Sequence, residues 1–177
     1  METAQGVVVR MTKLTDTSLI VHWLTDQFGL IKTVAKGIRG ASNPYRSRVD
    51  LFLTAEMCWV TSRKGDLHTL REVVVRDLRS GIRGSYRRVL LASYFCHLLD
   101  RILEADHPVP ELFELLTRAL NYLEREEPSR NGLEYFEREV ARLCGLTAGG
   151  KEVTEVLRLA AGGFPASRER CYREFHS

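Results

Sequence analysis

The sequence predicts an α+β chain, a five-stranded β-barrel followed by an α-helical bundle. Three observations carry that prediction. Within the first 75 or so of 177 residues, five apolar, β-branched runs alternate with short turn-forming segments. From Asp77 onward the apolar residues recur with a period near 3.6, the mark of amphipathic helices. The charge divides at the same place: residues 1–80 carry 12 Lys and Arg against 8 Asp and Glu, and residues 81–177 carry 14 against 15. A basic first half beside a near-neutral second half fits an electrostatic binding module followed by a packing or docking module.

The strands come first. Gly6–Met11 (GVVVRM) is a short apolar run of strand propensity, and Leu14–Ser18 is a polar turn. Leu19–Leu24 (LIVHWL) and Leu30–Ala35 are the second and third strands, separated by the turn Asp26-Gln27-Phe28-Gly29. Val49–Val60 (VDLFLTAEMCWV) reads as one long strand. Thr61–Asp66 (TSRKGD) has hairpin-loop composition, with Gly65 able to take a positive φ. Leu67–Val75 completes the set. Five strands joined this way suggest a small closed barrel of the oligonucleotide-binding (OB) type. An SH3-like barrel or a small sandwich produces a similar pattern.

The helices follow. Ser85 is placed to cap a helix whose stripe is Tyr86, Val89, Leu90, Tyr94, Leu98 and Ile102, ended by His107-Pro108. Pro110 opens a second helix, with Glu111 in its first turn and Leu112, Phe113, Leu116, Leu120 and Leu123 inward. Asn131 is the expected cap of a third, with Leu133, Phe136, Val140 and Leu143 inward and Gly145 as its stop. Two shorter helices, Glu152–Ala161 and Ser167–Phe175, close the chain. The expected domains are an OB-fold nucleic-acid-binding domain at 1–79 and an α-helical domain at 80–177.

The stretch Lys32–Arg48 (KTVAKGIRGASNPYRSR) is the most informative. It holds Lys32, Lys36, Arg39, Arg46 and Arg48, no carboxylate, one aromatic in Tyr45, and Gly37, Gly40 and Pro44 to break regular structure. A basic loop carrying a flat ring suits a phosphate backbone with a stacked base; a solvated surface loop is the plainer reading. Arg63 and Lys64, at the tip of the last hairpin, would flank the same groove. The candidate nucleic-acid-binding residues are therefore Lys32, Lys36, Arg39, Tyr45, Arg46, Arg48, Arg63 and Lys64. Trp23, Trp59, Phe28 and Phe52, most of them within apolar runs, are expected in the core, which leaves Tyr45 for stacking.

Other chemistry finds little footing. Cys58, Cys96, Cys144 and Cys171 stand in four separate segments, with no CxxC and no histidine at ligand spacing, so buried thiols in a reducing compartment are expected. His22, His68, His97, His107 and His176 are scattered. GIRG occurs twice but matches neither a P-loop nor a dinucleotide fingerprint. No run approaches the ~18 apolar residues of a membrane span, and the N-terminus lacks the features of a signal peptide. The expectation is a cytoplasmic protein that is not an enzyme and needs no cofactor.

The residues also resemble a family. Gly6-Val7-Val8-Val9-Arg10, Ser18-Leu19-Ile20-Val21, Leu24-Thr25, Gly29-Leu30 and Ala35-Lys36-Gly37-Ile38-Arg39 look like the N-terminal domain of RecO recombination mediators. Ala92-Ser93-Tyr94, Leu99-Asp100-Arg101, Pro110-Glu111-Leu112-Phe113, Phe136-Glu137 and Leu143-Cys144-Gly145-Leu146 continue it, so the resemblance covers about residues 5–146. It implies an OB fold on a helical domain and binding of single- and double-stranded DNA. It further implies annealing of complementary strands and partnership with RecR and single-stranded DNA-binding protein (SSB). In recombinational repair, the implied outcome is loading of RecA on SSB-coated DNA, at the nucleoid. Many members carry a four-cysteine zinc module after the segment matching Cys144-Gly145-Leu146. Here TAGGKEV follows instead, and no zinc is expected. An RNA-binding OB module, or a protein-interaction adaptor with an inert barrel, are the alternatives the residues leave open.

Overall fold

Five strands close into a barrel because the first is long enough to serve two neighbours. The structure is a computed structural model and describes residues 1–38, 49–105, 107–147 and 151–175. Strands β1 (Glu2–Lys13), β2 (Leu19–Thr25), β3 (Gly29–Ala35), β4 (Thr54–Val60) and β5 (Leu67–Asp77) run in the order β1-β2-β3-β5-β4. Residues Glu2–Val7 of β1 pair with β4, and Gly6–Lys13 pair with β2 across a bulge between Val8 and Arg10. The bulge bends β1 so that one strand serves both neighbours. Only β3 and β5 are parallel. This is the OB topology, and the expected α+β class, a five-stranded OB barrel followed by an α-helical bundle, is the one the chain adopts.

Alternation along the strands fills the barrel. Val8, Val21, Trp23, Ile31, Leu53, Met57 and Trp59 form its core. Burying two tryptophans gives a small barrel much of its apolar payload, on the order of 150–250 Å² each. The Trp23 indole N–H donates to Thr33 Oγ1 at 3.0 Å, so its polar atom is satisfied inside. Phe28 meets Trp59 edge-on, with centroids 5.1 Å apart. Trp23, Trp59 and Phe52 are buried as expected, whereas Phe28, in the β2–β3 turn, is half-buried.

The fourth strand is shorter than expected. Val49–Leu53 is not strand; Phe52 turns into the left-handed region at φ 70°, its N–H donates to Val8 O, and Val8 N–H donates to Leu53 O. These two residues therefore bond to β1 beside its bulge, and β4 starts only at Thr54.

The helices are α1 (Ser80–Arg83), α2 (Tyr86–Ile102), α3 (Pro110–Leu123), α4 (Arg130–Leu143), α5 (Val153–Ala160) and α6 (Ala166–Glu174). The chain divides into two units, Met1–Leu78 with Leu103–Phe113 and Arg79–Ile102 with Glu114–Ser177. In the second, Leu91, Leu98, Leu116, Leu120, Leu133, Phe136, Val140 and Leu157 are buried, and Phe95 stacks on Phe136 at 3.8 Å. α6 packs on α2, and α5 on α4.

Three further expectations need correction. The cap of α4 is Ser129, whose Oγ accepts from Gly132 N–H at 3.1 Å; Asn131 lies inside the helix. Tyr86 faces solvent, because the inward face of α2 begins at Leu90. Cys58 and Cys144 are only half-buried, whereas Cys96 and Cys171 are buried. The short helix α1 was not expected. It follows Arg79, a buried arginine at φ 55° whose guanidinium donates to Asn121 Oδ1 and, at 3.3 Å, to Glu124 Oε2.

Candidate nucleic-acid interface

The outer face of β1, β2 and β3 is laid out in cross-strand rows, because directly paired residues share a face. One row is Arg10, paired with His22, itself paired with Lys32. The next is Thr12, Ile20 and Val34, and Val34 is aligned with Thr69 of β5. Arg10 is exposed and His22 and Lys32 are half-exposed, so the first row puts basic side chains at the surface on three adjacent strands. Strands in a sheet lie about 4.8 Å apart, so three such residues span about 10 Å.

Of the predicted residues, Lys32 lies in this row and Arg63 and Lys64 on the loop next to it. Lys32 binds Asp66, Nζ to Oδ2 at 2.8 Å, which ties β3 to the β4–β5 loop. Arg63 and Lys64 stand exposed on that same loop. The loop is ordered by its own hydrogen bonds: Ser62 N–H donates to His68 Nδ1 at 3.1 Å, and Lys64 N–H donates to Ser62 Oγ at 3.2 Å. Gly65, at φ 137°, makes the turn as expected. The structure thus brings Lys32 together with the loop that carries Arg63 and Lys64. Lys36 is exposed beyond the other end of β3, beside a hollow of about 150 Å³ lined also by Leu70, Arg71 and Glu72. Arg39, Tyr45, Arg46 and Arg48 lie outside the described residues.

Where the row meets the β4–β5 loop, Lys32 and Asp66 form an ion pair. The hydrogen bond from the Lys32 ammonium, and then its positive charge, hold the Asp66 carboxyl below the ordinary carboxylate value. Seen from the lysine, the same contact partly neutralises its positive charge. At the β1–β2 loop Lys13 is likewise paired with Asp16, at 2.7 Å.

Sequence reasoning missed Arg10 and His22. The signal was present in the alternation: each is the one polar residue inside an apolar strand, VVVRM and LIVHWL, and so must face outward. What the runs do not show is the register that aligns the two with Lys32.

The helical unit holds a cavity of about 410 Å³, lined by residues of α2, α3 and α4 that include Phe95, Arg118, Tyr122 and Tyr135. Among the described residues no three His, Cys, Asp or Glu side chains cluster so as to hold a metal ion. No described helix is long and apolar enough to cross a membrane.

Fold and surface together define a class, an OB barrel with a basic outer row in a chain that continues as a helical bundle. Two family models match in sequence, the recombination protein O N-terminal domain over residues 1–79 and the recombination protein O C-terminal domain over residues 83–148. The chain belongs to the RecO family.

Its relatives include the DNA repair protein RecO of Pelobacter propionicus, 32% identical over 123 residues, covering 70% of this chain and 50% of the relative. That of Syntrophotalea carbinolica is 28% identical over 120 residues, covering 68% and 46%. That of Listeria monocytogenes serotype 4b is 31% identical over 120 residues, again covering 68% and 46%. The chain spans about half the length of the curated relatives it matches.

Proposed function

We propose that this chain acts in recombinational DNA repair as a binding protein that handles strands and catalyses no bond chemistry. In this reading it binds single- and double-stranded DNA, anneals complementary strands, and with RecR helps load RecA on SSB-coated DNA in the cytoplasm, at the nucleoid. The observation that carries the reading is the Arg10–His22–Lys32 row on an OB barrel, in a chain of the RecO family. Annealing requires that cations offset the repulsion between two phosphate backbones, and a basic face does so without base contacts. The contact set is Lys32, Lys36, Arg63 and Lys64, extended by Arg10 and His22 and by the loop residues Arg39, Tyr45, Arg46 and Arg48.

The test is annealing of complementary oligonucleotides with and without SSB. Acceleration in either condition supports the reading, and no acceleration in both removes it.

A further inference from the structure

The basic row has an apolar neighbour. Two residues further along the strands, the row of Thr12, Ile20, Val34 and Thr69 continues to Val60 of β4, which pairs with Thr69. All five side chains are β-branched and none is charged. Ile20 and Val34 are half-exposed, Val60 is exposed, and none of the three belongs to the barrel's interior cluster. The solvated face of a sheet ordinarily turns polar residues outward, and exposed apolar residues are ordinarily scattered rather than aligned. Strand propensity accounts for the branching but not for the missing polar groups.

The two rows run side by side across the same strands. His22 and Ile20 on β2, and Lys32 and Val34 on β3, each stand two residues apart, about 7 Å along the strand. A charged line and an apolar line therefore lie in parallel on one face. A single nucleic-acid strand has the same profile, with a charged backbone along one edge and base faces along the other. A duplex presents the charged edge, but its base faces are paired and stacked inside. The cations can meet either form, whereas aliphatic side chains gain only from bases that are unpaired.

We propose that the row of Thr12, Ile20, Val34, Thr69 and Val60 is a floor for unpaired bases, on which a single DNA strand lays its bases while its backbone follows the Arg10–His22–Lys32 row. This rests on the nucleic-acid reading of the face and adds a discrimination to it. Both forms of DNA use the basic row, and only the single strand uses the apolar one. The row carries no aromatic ring, so the contact is burial and van der Waals packing of methyl groups rather than ring stacking.

The experiment is fluorescence anisotropy with the full chain at low salt, using one oligonucleotide of about 16 nucleotides, alone and paired with its complement. Ile20→Thr and Val34→Thr keep β-branched side chains at partly exposed positions and remove only apolar groups. The double variant should bind the single strand about tenfold more weakly. Its slope of log K against log salt should stay at the wild-type value, because no phosphate contact is lost. Duplex affinity should fall far less, and its retention also reports a folded barrel. Val60→Thr, at the most exposed of the three positions, tests the same row with little demand on the fold and should shift the single-strand-to-duplex ratio the same way. Lys32→Ala, by contrast, should weaken both forms and flatten both slopes. Wild-type affinity ratios in both the double variant and Val60→Thr overturn the inference while leaving DNA binding by the basic row intact. Wild-type protein that binds neither form removes the nucleic-acid reading itself, and this inference with it.

Discussion

Arg168 of α6 and Glu137 of α4 form a two-pronged ion pair inside the helical unit, Nε to Oε1 at 2.7 Å and Nη2 to Oε2 at 3.0 Å. The carboxylate is almost wholly buried and also accepts from the Tyr94 hydroxyl of α2. The guanidinium lies over the rings of Phe164 and Tyr172, at 4.0 and 4.6 Å. Three helices are thus keyed to one charge. Burial opposes charge on Arg168, but its bonds to Glu137 outweigh that and strengthen its hold on the proton.

Breaking this pair from one side leaves a buried charge without its partner. Arg168→Ala should destabilise the chain by about 3–5 kcal/mol, whereas a triple variant, Glu137→Leu with Arg168→Met and Tyr94→Phe, which also removes the hydroxyl that donates to Glu137, should recover most of that loss. Chemical denaturation of the three proteins measures both effects. A single variant as stable as the wild type would show that the pair is solvated.

Leu98, fully buried in α2, faces the same core. Leu98→Ala should cost about 2–5 kcal/mol in unfolding free energy. DNA affinity per folded molecule should not change, since Leu98 belongs to the helical unit and the basic row to the barrel unit. Paired denaturation and binding curves check this.

The thiols should divide by burial. Burial is the first cause that pushes the Cys96 thiol up and the Cys171 thiol up to about 12, so both stay protonated at pH 8 and react slowly. The half-buried Cys58 should label first with an aromatic disulfide reagent. Labelling followed by peptide mapping decides the order, and early modification of Cys171 in native protein would contradict it.

The barrel was legible because its pattern is local: apolar runs of strand length, hairpin residues such as Gly65, and apolar tryptophan neighbourhoods all act within a few residues. The exceptions are non-local. The run Val49–Leu53 reads as strand, but bonds from Phe52 and Leu53 to Val8 hold it in a turn. Asn131 is the cap expected from sequence; the hydrogen bond from Gly132 N–H decides for Ser129. The burial of Glu137 depends on Arg168, 31 residues later, folded against it. The same holds for the candidate site, where Lys32, Arg63 and Lys64 stand out by charge alone, while the alignment of Arg10 and His22 with Lys32 needs the register.

Asp66 should restrain binding. Because it holds Lys32, Asp66→Asn should raise affinity for single-stranded DNA and steepen the dependence of log K on log salt by up to ~0.7. Acid should do the same only at low pH. A carboxyl whose pKa is depressed by a partner keeps the pair intact above the ordinary value near ~4 and loses it as pH falls through the lower, folded-state value. At neutral pH the substitution is therefore the informative route, and unchanged affinity would mean that Lys32 takes no part in binding.

The salt dependence of single-strand binding by the Lys32→Ala and Lys64→Ala variants tests most directly whether the basic face of the barrel holds the backbone. Each cation that meets a phosphate releases counterions, so each variant should bind all sequences about equally more weakly and flatten the slope by up to ~0.7. Arg158→Ala, an exposed cation of the helical unit, should leave affinity and slope at wild-type values. If the Lys32 and Lys64 variants keep both the wild-type affinity and the wild-type slope, the barrel face is not where the strand binds.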